Sequence, residues 1–148
     1  KTVLRRAAVI GATTMTAATL AVPAAQAAPT ADSSASARTY YGAIALNSRT
    51  LAVGTSVNAK TATSAKSAAL TRCKKYSYSS YCRNVVWVSN GCAAVAVKYD
   101  SKGRPVRYAS AYGKYKWPTV RLAKKRAMGS STAGTVKTRA YVCTTRYY

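Results

Sequence analysis

Two apolar runs of strand length dominate the hydrophobic pattern of residues 84–99. The runs, VVWV and AAVAV, are almost continuously apolar rather than alternating, which is typical of strands covered on both faces. Between them lies Asn90-Gly91, a pair that supplies the two positive-φ positions of a type I′ turn. The pattern therefore predicts a central β-hairpin in the middle of a sheet.

Shorter apolar segments on either side predict four further strands, separated by Asn-, Asp-, Ser- and Gly-containing turns. These strands are expected at 40–46, 51–57, 105–112 and 136–143, with turns at 47–49 and 100–103. In the last strand the alternation predicts one face with Val136, Thr138, Ala140 and Val142, and the other with Lys137, Arg139 and Tyr141.

The period of the pattern becomes helical after residue 61. Ala62, Ala65, Ala69 and Cys73 recur at helical spacing, so 61–75 is predicted to be an amphipathic helix whose small-residue face lies close to a sheet. A second helix is expected from Pro118 to Met128, because proline is favoured in the first turn. Its predicted buried stripe consists of Val120, Ala123 and Ala127.

The two halves of this pattern match, which indicates a tandem duplication of a β-β-α-β unit. We therefore predict an α+β domain in which about six strands form one mixed or antiparallel sheet with two helices packed on it. The strand order stays open. A meander through the Asn90-Gly91 hairpin is the simplest arrangement, whereas a bond between Cys92 and Cys143 could place the final strand beside Cys92.

The first 27 residues are typical of a secretory signal peptide: Lys1, Arg5 and Arg6 precede a mostly apolar run and Ala25-Gln26-Ala27. A transmembrane anchor is the weaker interpretation, because the run is short and contains several threonines. Residues 28–39 are poor in large apolar groups and are expected to be a disordered leader, followed by a single domain at 40–148. Whether export uses the general secretory or the twin-arginine route stays open.

Charge sets this chain apart: it has 24 basic and 2 acidic residues, for a net charge of +22. Removal of the three basic residues in the predicted signal leaves +19. Such a field attracts polyanions, most strongly at low salt. The alternative is a cationic surface that only aids solubility or retention at the cell wall.

The four cysteines of this small exported domain predict disulfides rather than a metal site or a catalytic thiol. Three connectivities are possible. Because Cys73 and Cys82 bracket a short loop while Cys92 and Cys143 lie on predicted strands, we favour Cys73–Cys82 and Cys92–Cys143. The chain-entropy estimate assigns about 3 kcal/mol to the small ring and about 4 kcal/mol to the large one.

The chain lacks most of the side chains that enzymes use for acid–base catalysis and metal binding. The chain has no His and no Glu, and Asp32 and Asp100 are its two acids, so mechanisms based on histidine or paired carboxylates lack their parts. Hard cations need several carboxylates, and zinc needs His or free Cys. A Ser-Lys or Tyr-Lys arrangement stays open because these residue types are abundant, but no spacing singles one out. We therefore expect no catalytic residues, no metal, no small-molecule cofactor and no enzymatic activity.

Basic and aromatic side chains are the candidate binding groups. The predicted polyanion-binding residues crowd the outer face of the second helix and the exposed face of the last strand: Arg121, Lys124, Lys125, Arg126, Lys137 and Arg139. A phenol combines a buried ring with a polar tip and suits contact surfaces. Tyr76, Tyr78 and Tyr81 in the loop YSYSSY are therefore a possible protein-contact site, with simple loop packing as the alternative.

A set of small residues and cysteines has a recognisable spacing. It consists of 42–45 (GAIA), a helix ending at Cys73, Cys82 before a Val-rich strand, 90–94 (NGCAA) and a final strand closing at Cys143. Over roughly 40–143 this pattern resembles the bacterial secreted family known as domain of unknown function 4189. The resemblance implies a small exported α+β domain. It also implies a further cysteine pair around the second helix, and this chain has Met128 where one of those two cysteines is expected.

The leading hypothesis is a secreted or envelope-associated, non-enzymatic domain that binds polyanions such as cell-wall polymers, anionic surfaces or extracellular nucleic acid. The alternative is a secreted protein-interaction module, for instance an inhibitor or immunity-type protein, that would dock the disulfide-closed tyrosine loop into a partner. Neither hypothesis requires a transmembrane segment. The identity of the ligand, the oligomeric state and any toxicity to competing cells stay open.

Overall fold

The structure, a computed structural model, describes residues 38–77 and 80–145, which belong to one compact unit. The predicted signal peptide, and the predicted leader up to residue 37, lie outside the described residues. Eight elements follow one another along the described chain: β1 (Tyr41–Asn47), β2 (Val53–Ala59), α1 (Ala62–Ser77), β3 (Cys82–Ser89), β4 (Cys92–Tyr99), β5 (Pro105–Gly113), α2 (Lys116–Met128) and β6 (Thr135–Cys143).

The strands form two antiparallel sheets of three strands each, not the single sheet that the sequence predicted. Sheet 1 has the order β2-β1-β3, and sheet 2 has the order β5-β4-β6. Each β-β-α-β unit thus builds its own sheet around its first strand, which confirms the α+β class and the predicted duplication. The single sheet is wrong because β1 and β4 each find both neighbours within their own unit.

The predicted central hairpin is also wrong, because β3 pairs with β1 and β4 pairs with β5 and β6. Asn90 has a positive φ of 43°, but Gly91 has none, so the pair does not form a type I′ turn. The side-chain oxygen of Asn90 instead accepts a hydrogen bond of 2.9 Å from the Tyr40 backbone N–H. This connection carries the chain from sheet 1 to sheet 2.

The final strand lies beside β4, as the disulfide alternative required. Cys92 is opposite Cys143 in the antiparallel register, and the two are bonded. Cys73 and Cys82 form the other disulfide. Both predicted pairings are therefore confirmed, and each bond stays within one repeat unit.

Side-chain size alternates along the central strands and separates four layers, in the order α1, sheet 1, sheet 2, α2. Ala43 and Ala45 face the small residues of α1, while Ile44 and Leu46 pack against sheet 2. In β4, Ala94 and Ala96 likewise face α2. Alanine under each helix permits close helix–sheet contact, and larger aliphatic groups fill the wider space between the sheets.

An irregularity in β6 changes the predicted faces of that strand. Val95 is opposite Ala140 but Ala96 is opposite Thr138, so Arg139 is an extra residue without a partner of its own. A bulge of this kind reverses the side-chain alternation. Accordingly Val136 packs under α2, whereas Ala140 and Val142 pack between the sheets, and the single predicted apolar face is wrong.

The second unit has no disulfide between its helix and its last strand. The buried stripe Ala65, Ala69 and Cys73 of α1 corresponds to Thr119, Ala123 and Ala127 of α2. Asn47 is opposite Cys82 in sheet 1, and Lys98 at the end of β4 is opposite Val136 in sheet 2. Ala127 and Val136 thus occupy the positions of Cys73 and Cys82. Ala127 lies one residue before Met128, the position that the family resemblance indicated.

Introducing Ala127→Cys and Val136→Cys together is expected to form a third disulfide and to stabilise the domain by about 2–3 kcal/mol. Both side chains already belong to one packed cluster, and the ring would have the nine-residue separation of Cys73–Cys82. Urea unfolding of the oxidised variant measures the gain. Each single-cysteine variant serves as the control, and a double variant that keeps two free thiols under oxidising conditions would contradict the proposed equivalence.

Candidate functional site

The outer face of α2 carries the densest cationic surface predicted from the sequence. Thr119, Val120, Ala123 and Ala127 are buried against sheet 2, so helical periodicity turns Arg121, Lys124 and Lys125 outward, where all three are exposed. We call these three residues the α2 basic face. Three charges within two turns of one helix repel each other unless counterions or an anionic partner neutralise them.

Arg126 lies at the flank of the helix. Its guanidinium donates a hydrogen bond of 3.0 Å to the backbone oxygen of Ser110 in β5. Part of its donor capacity is therefore used inside the domain. Arg126 contributes charge next to the α2 basic face but has a structural contact that the other three lack.

Lys137 and Arg139 do not join the α2 basic face. Lys137 is opposite Val97, which places it on the face of sheet 2 away from α2, and its ammonium lies 5.8 Å from the Tyr99 ring. Arg139 Nε donates to the backbone oxygen of Leu51 at 2.7 Å and so links the two repeat units. The two predicted binding residues on β6 therefore lie apart from the α2 basic face and from each other's contacts.

An aromatic and cationic cluster at the start of α2 was missed by the sequence reasoning. The Lys116 ammonium lies 4.1 Å from the ring centre of Tyr141 and 4.9 Å from that of Trp117. Trp117 and Tyr141 are exposed. The signal was present in the sequence, because lysines and aromatics alternate at 114–117 (KYKW).

The predicted tyrosine loop is only partly a loop, because α1 extends to Ser77 and includes Tyr76. Tyr76 is exposed at the end of that helix. Tyr81 is also exposed, and the Arg49 guanidinium lies over its ring at 4.0 Å. Tyr78 lies outside the described residues, so the structure brings two of the three tyrosines to the surface near the Cys73–Cys82 bond.

Asp100 is the one acid in the described part of the chain, and it is neutralised locally. The Arg104 backbone N–H donates to its carboxylate, and the Arg104 guanidinium forms an ion pair with it at 2.8 Å. Together with the Lys102 N–H these contacts hold the pKa of Asp100 below its ordinary value. This carboxylate belongs to the turn between β4 and β5 and is not a partner of the α2 basic face.

A family model described as Domain of unknown function (DUF4189) matches residues 41–146, which confirms the resemblance predicted from the cysteine spacing. No curated protein and no solved structure matches the chain. Among the described residues, neither helix has the length and apolar character that crossing a membrane requires.

Proposed function

The chain belongs to the DUF4189 family, and we propose that it is a secreted, non-enzymatic domain that binds polyanions through the α2 basic face. The observation that carries this proposal is that Arg121, Lys124 and Lys125 are exposed together, with no carboxylate among the described residues to pair with them. A polyanion supplies the missing charge and releases its own counterions, which favours binding at low and moderate salt.

Secretion is supported by the cysteines and by the composition of residues 1–27. Disulfides persist in oxidising compartments, and both bonds of this domain join buried cysteines. Outside the cytoplasm the candidate partners are cell-wall polymers, anionic surfaces and extracellular nucleic acid. The shared chemistry of these partners is a dense row of phosphates or carboxylates.

The non-enzymatic part of the proposal is supported by the residue inventory. The chain contains no His and no Glu, and Asp100 is tied to Arg104. General acid–base catalysis near neutral pH uses a group whose pKa lies near the working pH. The conspicuous groups are instead basic side chains and exposed aromatic rings, which suit binding.

Replacing Arg121, Lys124 and Lys125 together with Gln is expected to weaken binding to duplex DNA and to flatten its salt dependence. On duplex DNA each neutralised phosphate contributes about −0.9 to the slope of log affinity against log salt, so the slope should fall in magnitude by about two to three. Fluorescence anisotropy over a salt series measures both quantities. Polyphosphate is the second probe and should lose affinity in the same way.

The matched control is the variant with Lys60, Lys74 and Lys75 changed to Gln, which removes the same charge from exposed positions at the ends of α1. It should retain most of the affinity and of the slope. An equal loss in the control would show that only net charge matters and not the α2 basic face. A wild-type slope near zero, or one protein partner that binds tightly and is indifferent to the triple change, would contradict polyanion binding.

A further inference from the structure

The two sheets expose neighbouring edge strands on one side of the domain. β3 is one of the two end strands of sheet 1, and β5 is one of the two end strands of sheet 2. The Ser110 hydroxyl on β5 donates to the backbone oxygen of Val85 on β3 at 3.0 Å. A hydrogen bond therefore ties the two edges together and fixes the geometry of the cleft beside them.

Two cavities lie at this junction, and both are lined by one aromatic residue from each edge strand. One cavity of about 490 Å³ is lined by Trp87 and Tyr112 and ends at Lys114. A second cavity of about 250 Å³ shares the same two aromatics and reaches Arg126. The two cavities adjoin at these shared residues, and we call them together the edge groove.

Both aromatic residues are unusually open to solvent. Trp87 is 47% exposed and Tyr112 is 67% exposed. Trp87 is held from the side of α1, where the Tyr41 ring centre lies 6.3 Å from its own and the Lys66 ammonium lies 5.7 Å from it. Large exposed rings that line one cavity are typical of a surface that stacks against a ligand.

The ends of the edge groove are cationic. Lys114 is four residues along the chain from Ser110, and Arg126 is anchored to the Ser110 backbone oxygen. A strand rises by about 3.3 Å per residue, so the backbone positions of Ser110 and Lys114 lie on the order of 13 Å apart, with Tyr112 between them. Asp100 lies in the turn that precedes β5, beyond the opposite end of that strand.

We propose that the edge groove binds a single strand of nucleic acid, with bases stacked on Trp87 and Tyr112 and phosphates paired with Lys114 and Arg126. An extended strand presents flat π-faces at intervals along an anionic backbone, and this is the combination that an aromatic and cationic groove recognises without reading sequence. A duplex keeps its bases stacked inside and offers the groove only phosphates.

The aromatic side chains of the edge groove favour a nucleic acid, because each base offers a flat π-face that can stack on an exposed ring. This inference rests on the proposed polyanion binding, selects one class of polyanion, and assigns it to a surface separate from the α2 basic face.

The test compares a short oligothymidylate, a DNA duplex and polyphosphate as probes. In a Trp117→Phe background Trp87 is the only tryptophan of the chain, so its fluorescence should be quenched by the oligothymidylate and not by polyphosphate. Trp87→Ala and Tyr112→Ala should each weaken oligothymidylate binding about ten-fold or more, and Trp87→Phe should restore most of the affinity. Polyphosphate affinity should stay within about two-fold, because stacking contributes nothing to it.

Tyr108→Ala is the matched control, since Tyr108 is about as exposed as Trp87 but lies on β5 outside both cavities. It should leave oligothymidylate binding near the wild-type level, and a melting curve for each variant verifies folding. Unchanged oligothymidylate affinity in folded Trp87→Ala and Tyr112→Ala variants would overturn the proposal. So would an equal loss of polyphosphate affinity, or an anionic polysaccharide that competes for the groove and depends equally on Trp87.

The failure of this inference can be told apart from the failure of the proposed function. If polyphosphate binding depends on the α2 basic face while the Trp87 and Tyr112 variants behave like wild type, only the edge groove is refuted. If the oligothymidylate requires Trp87 while polyphosphate and duplex DNA do not bind, the groove assignment holds and the general polyanion function fails.

Discussion

Replacing Gly54 with alanine is expected to destabilise the domain by about 3 kcal/mol or more. A Cβ at this position would lie 2.0 Å from the backbone oxygen of Ala69 and 2.3 Å from the backbone nitrogen of Cys73. Both atoms belong to the backbone of α1 and cannot rotate away. The helix must therefore move off sheet 1 and lose contacts with Ala43 and Ala45, and urea unfolding measures the cost.

The second repeat unit offers the control for this change. Gly54 is opposite Ala45 in sheet 1, and Ala109 is opposite Ala96 in sheet 2. Ala109 packs against the buried residues beneath α2, so a methyl group at this position of sheet 2 fits under the helix. Ala109→Gly should cost about 1–2 kcal/mol, from the lost methyl burial and the added backbone freedom. A Gly54→Ala variant as stable as Ala109→Gly would contradict the close approach of α1.

Replacing both Cys92 and Cys143 with alanine is expected to lower the free energy of unfolding by about 4 kcal/mol. This bond closes a loop with a sequence separation of 51 and joins the directly opposed ends of β4 and β6. Beyond it, the Thr144 N–H donates to the Gly91 backbone oxygen at 2.9 Å, and the Gly91 N–H donates to the Thr144 hydroxyl at 3.0 Å. The disulfide therefore fastens the end of the chain to the connection between the sheets.

The matched comparison is the double alanine variant of Cys73 and Cys82, whose bond closes a separation of 9. Both bonds join buried cysteines, so the two double variants lose similar packing. The difference between their free energies of unfolding therefore reports the loop length. The chain-entropy relation predicts about 1.5 kcal/mol less destabilisation for the smaller ring. Equal losses in the two double variants would show that local packing, and not loop closure, sets the contribution of these bonds.

Local periodicity predicted the elements of this fold well. The predicted helices at 61–75 and 118–128 became α1 and α2, each two residues or fewer from the predicted limits. The duplication was visible because the two halves repeat the same sequence of short apolar strands and alanine-rich helix. These features depend on neighbours along the chain, and a sequence records neighbours directly.

The partners of the strands could not be predicted in the same way. Asn90-Gly91 between two apolar runs is a strong local hairpin signal, yet β3 occupies an edge of sheet 1 and β4 the centre of sheet 2. The continuous burial of β4 arises from α2 on one face and sheet 1 on the other, which an apolar run cannot distinguish from burial between two neighbouring strands. The stacking of two complete sheets decided which strands β3 and β4 pair with.

The candidate binding residues likewise divide into those that local sequence predicts and those that only the tertiary structure brings together. By itself the sequence determined the cationic character and the clustering of Arg121, Lys124 and Lys125, because residues three and four apart share a helix face. It favoured the disulfide pairs that the structure then confirmed. Only the tertiary structure decided that Arg139 bridges to Leu51 and that Trp87 and Tyr112 face a common groove. Those arrangements join residues far apart in the chain, and their geometry depends on a strand bulge and on how two sheets meet, which local pattern does not encode.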